Sequence, residues 1–280
     1  MKANTHVIVL ILSLYTCHIS RYFMTRRRGH GHESCHHGGG KGTRLQPLTR
    51  LLPKPMLQLL DRPTLEYIVE LLGRHDFHDI TMTVCYMADA IRNYFADGSA
   101  WDVHIRYQDE LVPLGTAGGV RALHAHLDDT FIVMSGDGLT DFDLSEAMRA
   151  HRRGGAVATL LLTRVECPLG YGVVEIDVNG RITGFVEKPQ AFERDRTYLV
   201  NTGIYILEPT IFQWIPTDRP YDFGRELFPL LLELGVPMQG YVASGYWSDV
   251  GTLQQYYQTQ IDMLNGRVKV NLPVEVASAR

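Results

Sequence analysis

Two aspartates and a lysine between two prolines are the residues whose types and settings could do chemistry in this 280-residue chain. Lys54 lies in Leu52-Pro53-Lys54-Pro55, where the prolines fix the backbone and lower the entropy cost of aiming an ammonium at an anion. It follows Gly38-Gly39-Gly40-Lys41-Gly42-Thr43-Arg44-Leu45, a glycine turn that is neither a Walker A loop nor a dinucleotide fingerprint. In such a turn Gly39, Gly40, Gly42 and Thr43 bring backbone N–H groups close to a phosphate, and Arg44 can clamp it bidentately. Asp137 ends the apolar run Phe131-Ile132-Val133-Met134-Ser135, and Asp249 sits in Tyr246-Trp247-Ser248-Asp249-Val250-Gly251-Thr252. Taken singly, each Asp could equally be a turn former.

These residues need elements to hold them. Strands are predicted at Ile80–Tyr86, Val103–Gln108, Phe131–Ser135, Ala156–Thr163, Gly172–Ile176, Ile182–Glu187, Gly203–Leu207 and Met238–Ala243. Helices are predicted at Pro63–Arg74, Ala88–Phe95, Ala117–Leu127, Leu144–Arg152, Arg225–Leu234 and Leu253–Leu264. In the first helix Leu65, Ile68, Val69 and Leu72 follow a helical spacing behind Pro63, and Asp143-x-x-Glu146 reads as a capping box. Strand–helix alternation to about residue 150 predicts an α/β fold with a mostly parallel sheet covered on both faces. Strands then predominate, which predicts an antiparallel extension. Ligands of such sheets bind at the carboxyl ends of strands, where Asp137 falls.

With these elements in place, the motifs together resemble one family. Gly39-Gly40-x-Gly42-Thr43-Arg44-Leu45-x-Pro-Leu-Thr with Pro53-Lys54-Pro55 resembles the signature of the sugar-1-phosphate nucleotidyltransferases. The resemblance covers nearly all of residues 38–265 and implies a Rossmann-like central sheet whose antiparallel extension forms the sugar side. It implies that Asp137 and Asp249 bind Mg2+, and that Arg44 and Lys54 act on the phosphates. It implies that Glu187-Lys188-Pro189 holds the sugar and its phosphate, that Gly172 lies under the sugar ring and that Asn201 closes the sugar pocket. Glu110-x-x-Pro113-Leu114-Gly115-Thr116-Ala117-Gly118 is similar to the mannose-1-phosphate guanylyltransferase form, in which a carboxylate can accept from guanine N1–H and N2–H. Glu110 and Asp109 are both candidates for it, with Gly115 in the nucleotide loop.

The implied reaction is NTP plus sugar 1-phosphate to NDP-sugar and pyrophosphate, with GTP and mannose 1-phosphate as the expected pair. Thymidylyl or uridylyl transfer to glucose 1-phosphate, and a non-catalytic sugar-nucleotide sensor, are the alternatives. The expected partners are these small molecules, in a cytoplasmic protein with neither nucleic acid nor membrane; a homo-oligomer is left open. Cys17, Cys35, Cys85 and Cys167 have no CxxC spacing, which excludes a four-thiolate zinc site and makes a reducing compartment the default.

Charge divides the chain. Residues 1–40 carry five Lys and Arg against one Glu and hold six of the twelve histidines, while the remainder is net −8. An acidic body argues against nucleic acid as a partner. Residues 1–37 are therefore expected to be an anomalous leader, out-of-frame or disordered, ahead of a nucleotidyltransferase domain at 38–265. Shifted by one base, suitable codons for His32–Gly40 read Met-Lys-Ala-Val-Ile-Met-Ala-Gly, the strand that the family places before the glycine turn. Without it, Val7–Leu12 would have to fill the central slot of the sheet. That run could belong to a signal-peptide core, but no small-x-small cleavage site follows it, and it is too short for a spanning helix, which needs about 20 apolar residues. His32, Cys35, His36 and His37 have zinc-like spacing but no predicted element to hold them. The tail at 266–280 is expected to begin a further domain, as in fusions with a β-helix and a phosphohexomutase.

Overall fold

The computed structural model describes residues 5–10, 43–85 and 87–272. Strand β1 (Val7–Leu10) is followed by the two-residue strands β2 (Gln58–Leu59) and β3 (Arg62–Pro63), helix α1 (Thr64–Arg74) and β4 (Asp79–Val84). Then come α2 (Ala88–Phe95), β5 (His104–Asp109), α3 (Gly115–Arg121), β6 (Phe131–Ser135), β7 (Leu139–Thr140) and α4 (Leu144–Gly154). The remainder is β8 (Ala158–Val165), β9 (Gly172–Ile176), β10 (Ile182–Glu187), β11 (Tyr198–Leu207), α5 (Phe228–Glu233), β12 (Met238–Val242), β13 (Trp247–Ser248) and α6 (Leu253–Leu264).

The central slot is filled by β1, which pairs in parallel with β4 on one side and β6 on the other. Four residues of the leader thus belong to the sheet of the body, and the run that could substitute for a missing first strand does so. The physical fit is good, because a strand between two parallel neighbours must be apolar on both faces. Val7 belongs to the core cluster that holds Leu65, Ile68 and Leu72 of α1, while Ile8 belongs to the one on the other side with Ala117 and Val120 of α3. The residues with zinc-like spacing at His32–His37 lie outside the described residues.

Strands β5, β4, β1 and β6 form the parallel half. The long β11 joins it to the rest: Ile204–Leu207 runs antiparallel to β6, and Val200 pairs with Val173 of β9. Its other edge is covered by β8, which in turn pairs in parallel with β12. The β9–β10 hairpin completes the antiparallel side. Gly203, at φ +77°, supplies the break between the two halves of β11. The expected strand began at Gly203, because the apolar run starts there; pairing with β8 and β9 extends it back to Tyr198.

Local chemistry accounts for the helix ends. Asp143 caps α4 by accepting from the Glu146 N–H at 2.8 Å. The Glu146 side chain instead pairs with Arg149 and Arg153, so the expected box is half formed. The helix expected at Ala117–Leu127 stops at Arg121 and continues as a separate turn at His124–His126. The helix expected at Arg225–Leu234 opens as a wide π-type turn, Phe223–Leu227. Pro229 cannot donate to the carbonyl four residues back, which favours that widening. Among the described residues no helix is long and apolar enough to cross a membrane.

Candidate active site

Two aspartates 112 positions apart in sequence are brought together by a short ladder. β7 starts two residues after Asp137, β13 ends one residue before Asp249, and Ser248 is in register with Leu139. Lys54 joins the two aspartate segments, presented on a single turn flanked and filled by Pro53 and Pro55. Its ammonium donates to Asp137 Oδ2 at 2.6 Å and to the main-chain oxygen of Asp249 at 2.9 Å. The Ser135 hydroxyl donates to the other oxygen of Asp137.

The two carboxylates differ in electrostatics. Burial alone would raise Asp137, but Lys54 and the Ser135 hydroxyl outweigh it and hold the group below its ordinary value. Asp249 is pushed up, by burial first and by the Asp137 charge, against the pull of Lys54, the Gly251 N–H and Arg44. The ammonium thus bonds one carboxylate and acts on the other through its charge alone, with the exposed Arg44 as a second positive charge nearby. Two carboxylate oxygen donors fit a hard divalent cation. Among the described residues no group of three or more His, Cys, Asp or Glu side chains suits a metal, so such a cation would draw its remaining ligands from phosphate and water.

The loop that carries Asp249 is strained. Val250 is β-branched, buried and at φ +44°, a region that such residues avoid. Gly251 follows because a Cβ there would lie 2.9 Å from Asp249 Oδ2 and 3.3 Å from Gln255 Oε1. Thr252 then caps α6, its hydroxyl accepting from the Gln255 N–H.

On the expected sugar side, a Cβ on Gly172 would lie 2.8 Å from both Glu187 Oε2 and Phe185 Cζ, so those side chains would have to shift. Glu187 is pushed above the usual carboxylate range by burial, against the opposing pull of Lys188, whose Nζ is 3.8 Å away. Lys188 itself stands at φ +49° before Pro189. Asn201 makes two local hydrogen bonds. Its amide nitrogen donates to Tyr205 Oη and its oxygen accepts from the Gly203 N–H, so its side chain holds the break in β11.

On the nucleotide side the two candidate acids separate. Asp109 is paired with Arg92 at 2.5 Å on the surface. Glu110 turns inward, is pushed up by burial, and has one oxygen buried without a hydrogen-bond partner. That oxygen lies where a Cβ on Gly119 would be, 2.3 Å away. Gly115 is at φ +76° with the Tyr221 carbonyl against it. Thr43 begins a short turn with Arg44 and Leu45, while Gly39, Gly40 and Gly42 lie outside the described residues.

Sequence reasoning missed the segment that clamps this loop. The Tyr221 carbonyl accepts from the Ala117 and Gly118 N–H groups, and Tyr221 N–H donates to Leu114 O. Asp222 accepts from Thr116 Oγ1 and from the N–H groups of Gly224 and Arg225. The Asp222…Glu226 spacing was its only signal: the Glu226 carboxylate reaches back to the Asp222 N–H.

An α/β sheet that brings Lys54, Asp137 and Asp249 together beyond its strand ends has the chemistry to handle phosphate. Residues 38–266 match the family described as Nucleotidyl transferase, and the chain belongs to that family. It is 40% identical over 249 residues to UTP–glucose-1-phosphate uridylyltransferase of Synechocystis sp., covering 84% of this chain and 64% of that protein. It is 36% identical over 230 residues to mannose-1-phosphate guanylyltransferase of Mycobacterium tuberculosis, covering 81% and 63%. The chain therefore spans less than two thirds of the length of these relatives. A putative glucose-1-phosphate thymidylyltransferase from Bacillus anthracis, solved with sucrose, shares the fold with a TM-score of 0.73 at 22% identity, over 98% of both chains.

Proposed function

We propose that this chain is a sugar-1-phosphate nucleotidyltransferase, with GTP and mannose 1-phosphate as its substrates and GDP-mannose and pyrophosphate as products. The observation that carries the reading is the convergence of Lys54, Asp137 and Asp249 at the strand ends. A phosphate oxygen of the sugar 1-phosphate attacks the α-phosphorus, and the bond from that phosphorus to the bridging oxygen of the β-phosphate breaks as pyrophosphate leaves. The attacking phosphate is already ionised, so no protein base is needed and the protein's work is positioning and charge neutralisation.

Asp137 and Asp249 would hold Mg2+, which when bound neutralises charge on the α-phosphate. Lys54 stabilises the charge that develops there. Arg44 and the glycine turn hold the leaving pyrophosphate. Lys188 orients the attacking phosphate and Glu187 takes sugar hydroxyls. Glu110, turned inward while Asp109 is engaged by Arg92, is the acid that supports guanine as the base. The 40% identity to a uridylyltransferase favours a second reading, uridylyl transfer to glucose 1-phosphate. A cytoplasmic setting follows from such substrates.

The test is pyrophosphate release across a panel of four NTPs and several hexose 1-phosphates. GTP with mannose 1-phosphate is expected to be the best pair. Preference for UTP with glucose 1-phosphate would establish the second reading. Binding without pyrophosphate release from any pair would make the chain a sensor and overturn the enzymatic reading.

A further inference from the structure

The hydroxyl of Tyr171 contacts a metal-pair carboxylate, and the direction of that contact is dictated by its surroundings. Tyr171 Oη lies 2.7 Å from Gln255 Nε2 and 3.3 Å from Asp249 Oδ1. Gln255 Oε1 accepts from the Gly251 N–H and from the Thr252 hydroxyl, both at 3.1 Å, which fixes the orientation of the amide. The Gln255 group facing Tyr171 is therefore a donor only. Asp249 is an acceptor only when ionised. Tyr171 has a single hydrogen, so it must donate it to Asp249. The chain of hydrogen bonds runs one way, from Gly251 N–H through Gln255 and Tyr171 to the carboxylate.

The ring and backbone of Tyr171 are held independently. The ring packs edge-on against Trp247, centroids 5.4 Å apart, and the Trp247 indole N–H donates to Thr202 O. The Tyr171 main-chain oxygen accepts from the Lys188 N–H at 3.0 Å. One residue thus ties the turn before Gly172, the Glu187-Lys188-Pro189 element and the Asp249 loop.

We propose that Tyr171, aimed by Gln255, is a positioning residue for the cation site: it fixes the rotation of the Asp249 carboxylate by hydrogen-bonding one of its oxygens. The inference rests on the metal-pair reading above. Partners of this kind, one step removed from a metal, are worth roughly 10–100-fold in metal affinity.

The experiment compares the parent chain with Tyr171→Phe and Gln255→Leu. Mn2+ binding is measured directly by calorimetry or by electron paramagnetic resonance of free Mn2+, alongside kinetics at varied Mg2+. Tyr171→Phe is expected to weaken Mn2+ binding about 10-fold. It should lower turnover at limiting Mg2+ and recover it at high Mg2+, while KM for the sugar 1-phosphate stays unchanged, because Phe keeps the carbonyl that holds Lys188. Gln255→Leu is expected to weaken Mn2+ binding in the same direction. Unchanged Mn2+ affinity in Tyr171→Phe, or a defect confined to KM for the sugar 1-phosphate, overturns the proposal. Unchanged affinity in Gln255→Leu overturns the aiming role. A parent that binds no Mn2+ overturns the metal-pair reading together with this one, so the two failures are distinguishable.

Discussion

Lys54 and burial shift the two aspartates of the site in opposite directions, which predicts opposite effects on stability, testable without substrate. Asp137 has a folded-state pKa held below the ordinary 3.8, so its pairing with Lys54 stabilises the fold above that value and is lost as pH falls through the folded value. Asp249 has a raised folded-state pKa; its contribution is present at low pH and is lost as pH rises through that value. In EDTA at pH 7, Asp137→Asn is therefore expected to destabilise the chain by about 1–3 kcal/mol, leaving Lys54 without its charge partner. Asp249→Asn is expected to unfold at the same temperature or higher. Calorimetry of the two variants checks the contrast, and both should lose Mg2+-dependent pyrophosphate release. Near-normal turnover by Asp249→Asn would remove Asp249 from the site.

At the scale of elements, glycines and strained residues show where the backbone is shaped for chemistry. A methyl on Gly251 would press on both Asp249 and Gln255. Gly251→Ala is expected to weaken Mn2+ binding at least as much as Tyr171→Phe, with little change in KM for the sugar 1-phosphate. Gly115→Ala acts elsewhere. Its Cβ would lie 2.5 Å from the Tyr221 carbonyl at a φ of +76°, so α3 must part from the Tyr221–Asp222 clamp. The expected result is a higher KM for NTP and a lower unfolding temperature, by about 1–3 kcal/mol of stability. Both follow from contacts between segments remote in sequence.

For the whole molecule the decisive element is β1. Its main chain pairs with both β4 and β6, and Val7 and Ile8 are fully buried in cores on opposite faces of the sheet. Ile8→Asp would bury an unpaired carboxylate between β1 and α3, a change that exceeds the margin of most domains. Loss of cooperative unfolding by circular dichroism is the expected outcome. A soluble, cooperatively folding Ile8→Asp chain would show that β1 is dispensable. We propose the body at 38–265 as the nucleotidyltransferase domain, with β1 completing its sheet from upstream.

Much of this was legible in the residues alone. Apolar periodicity located the sheet strands and the helices, because burial on a face imposes period 2 or 3.6 whatever the partner. Lys54 between prolines was recognisable because its local backbone must be special, and Asp137 and the Asp249-x-Gly251-Thr252 loop through their resemblance to the family's motifs. Tertiary structure alone decided the rest. It chose Val7–Leu10 for the central slot, where pairing on both edges makes an apolar tetrapeptide sufficient. It assigned Asp109 to Arg92 and turned Glu110 inward, a distinction between adjacent acids that spacing cannot express. It spent Asn201 on the break in β11 and recruited Tyr171, Gln255 and the Tyr221–Asp222 clamp, because hydrogen-bond direction depends on which groups meet across the fold.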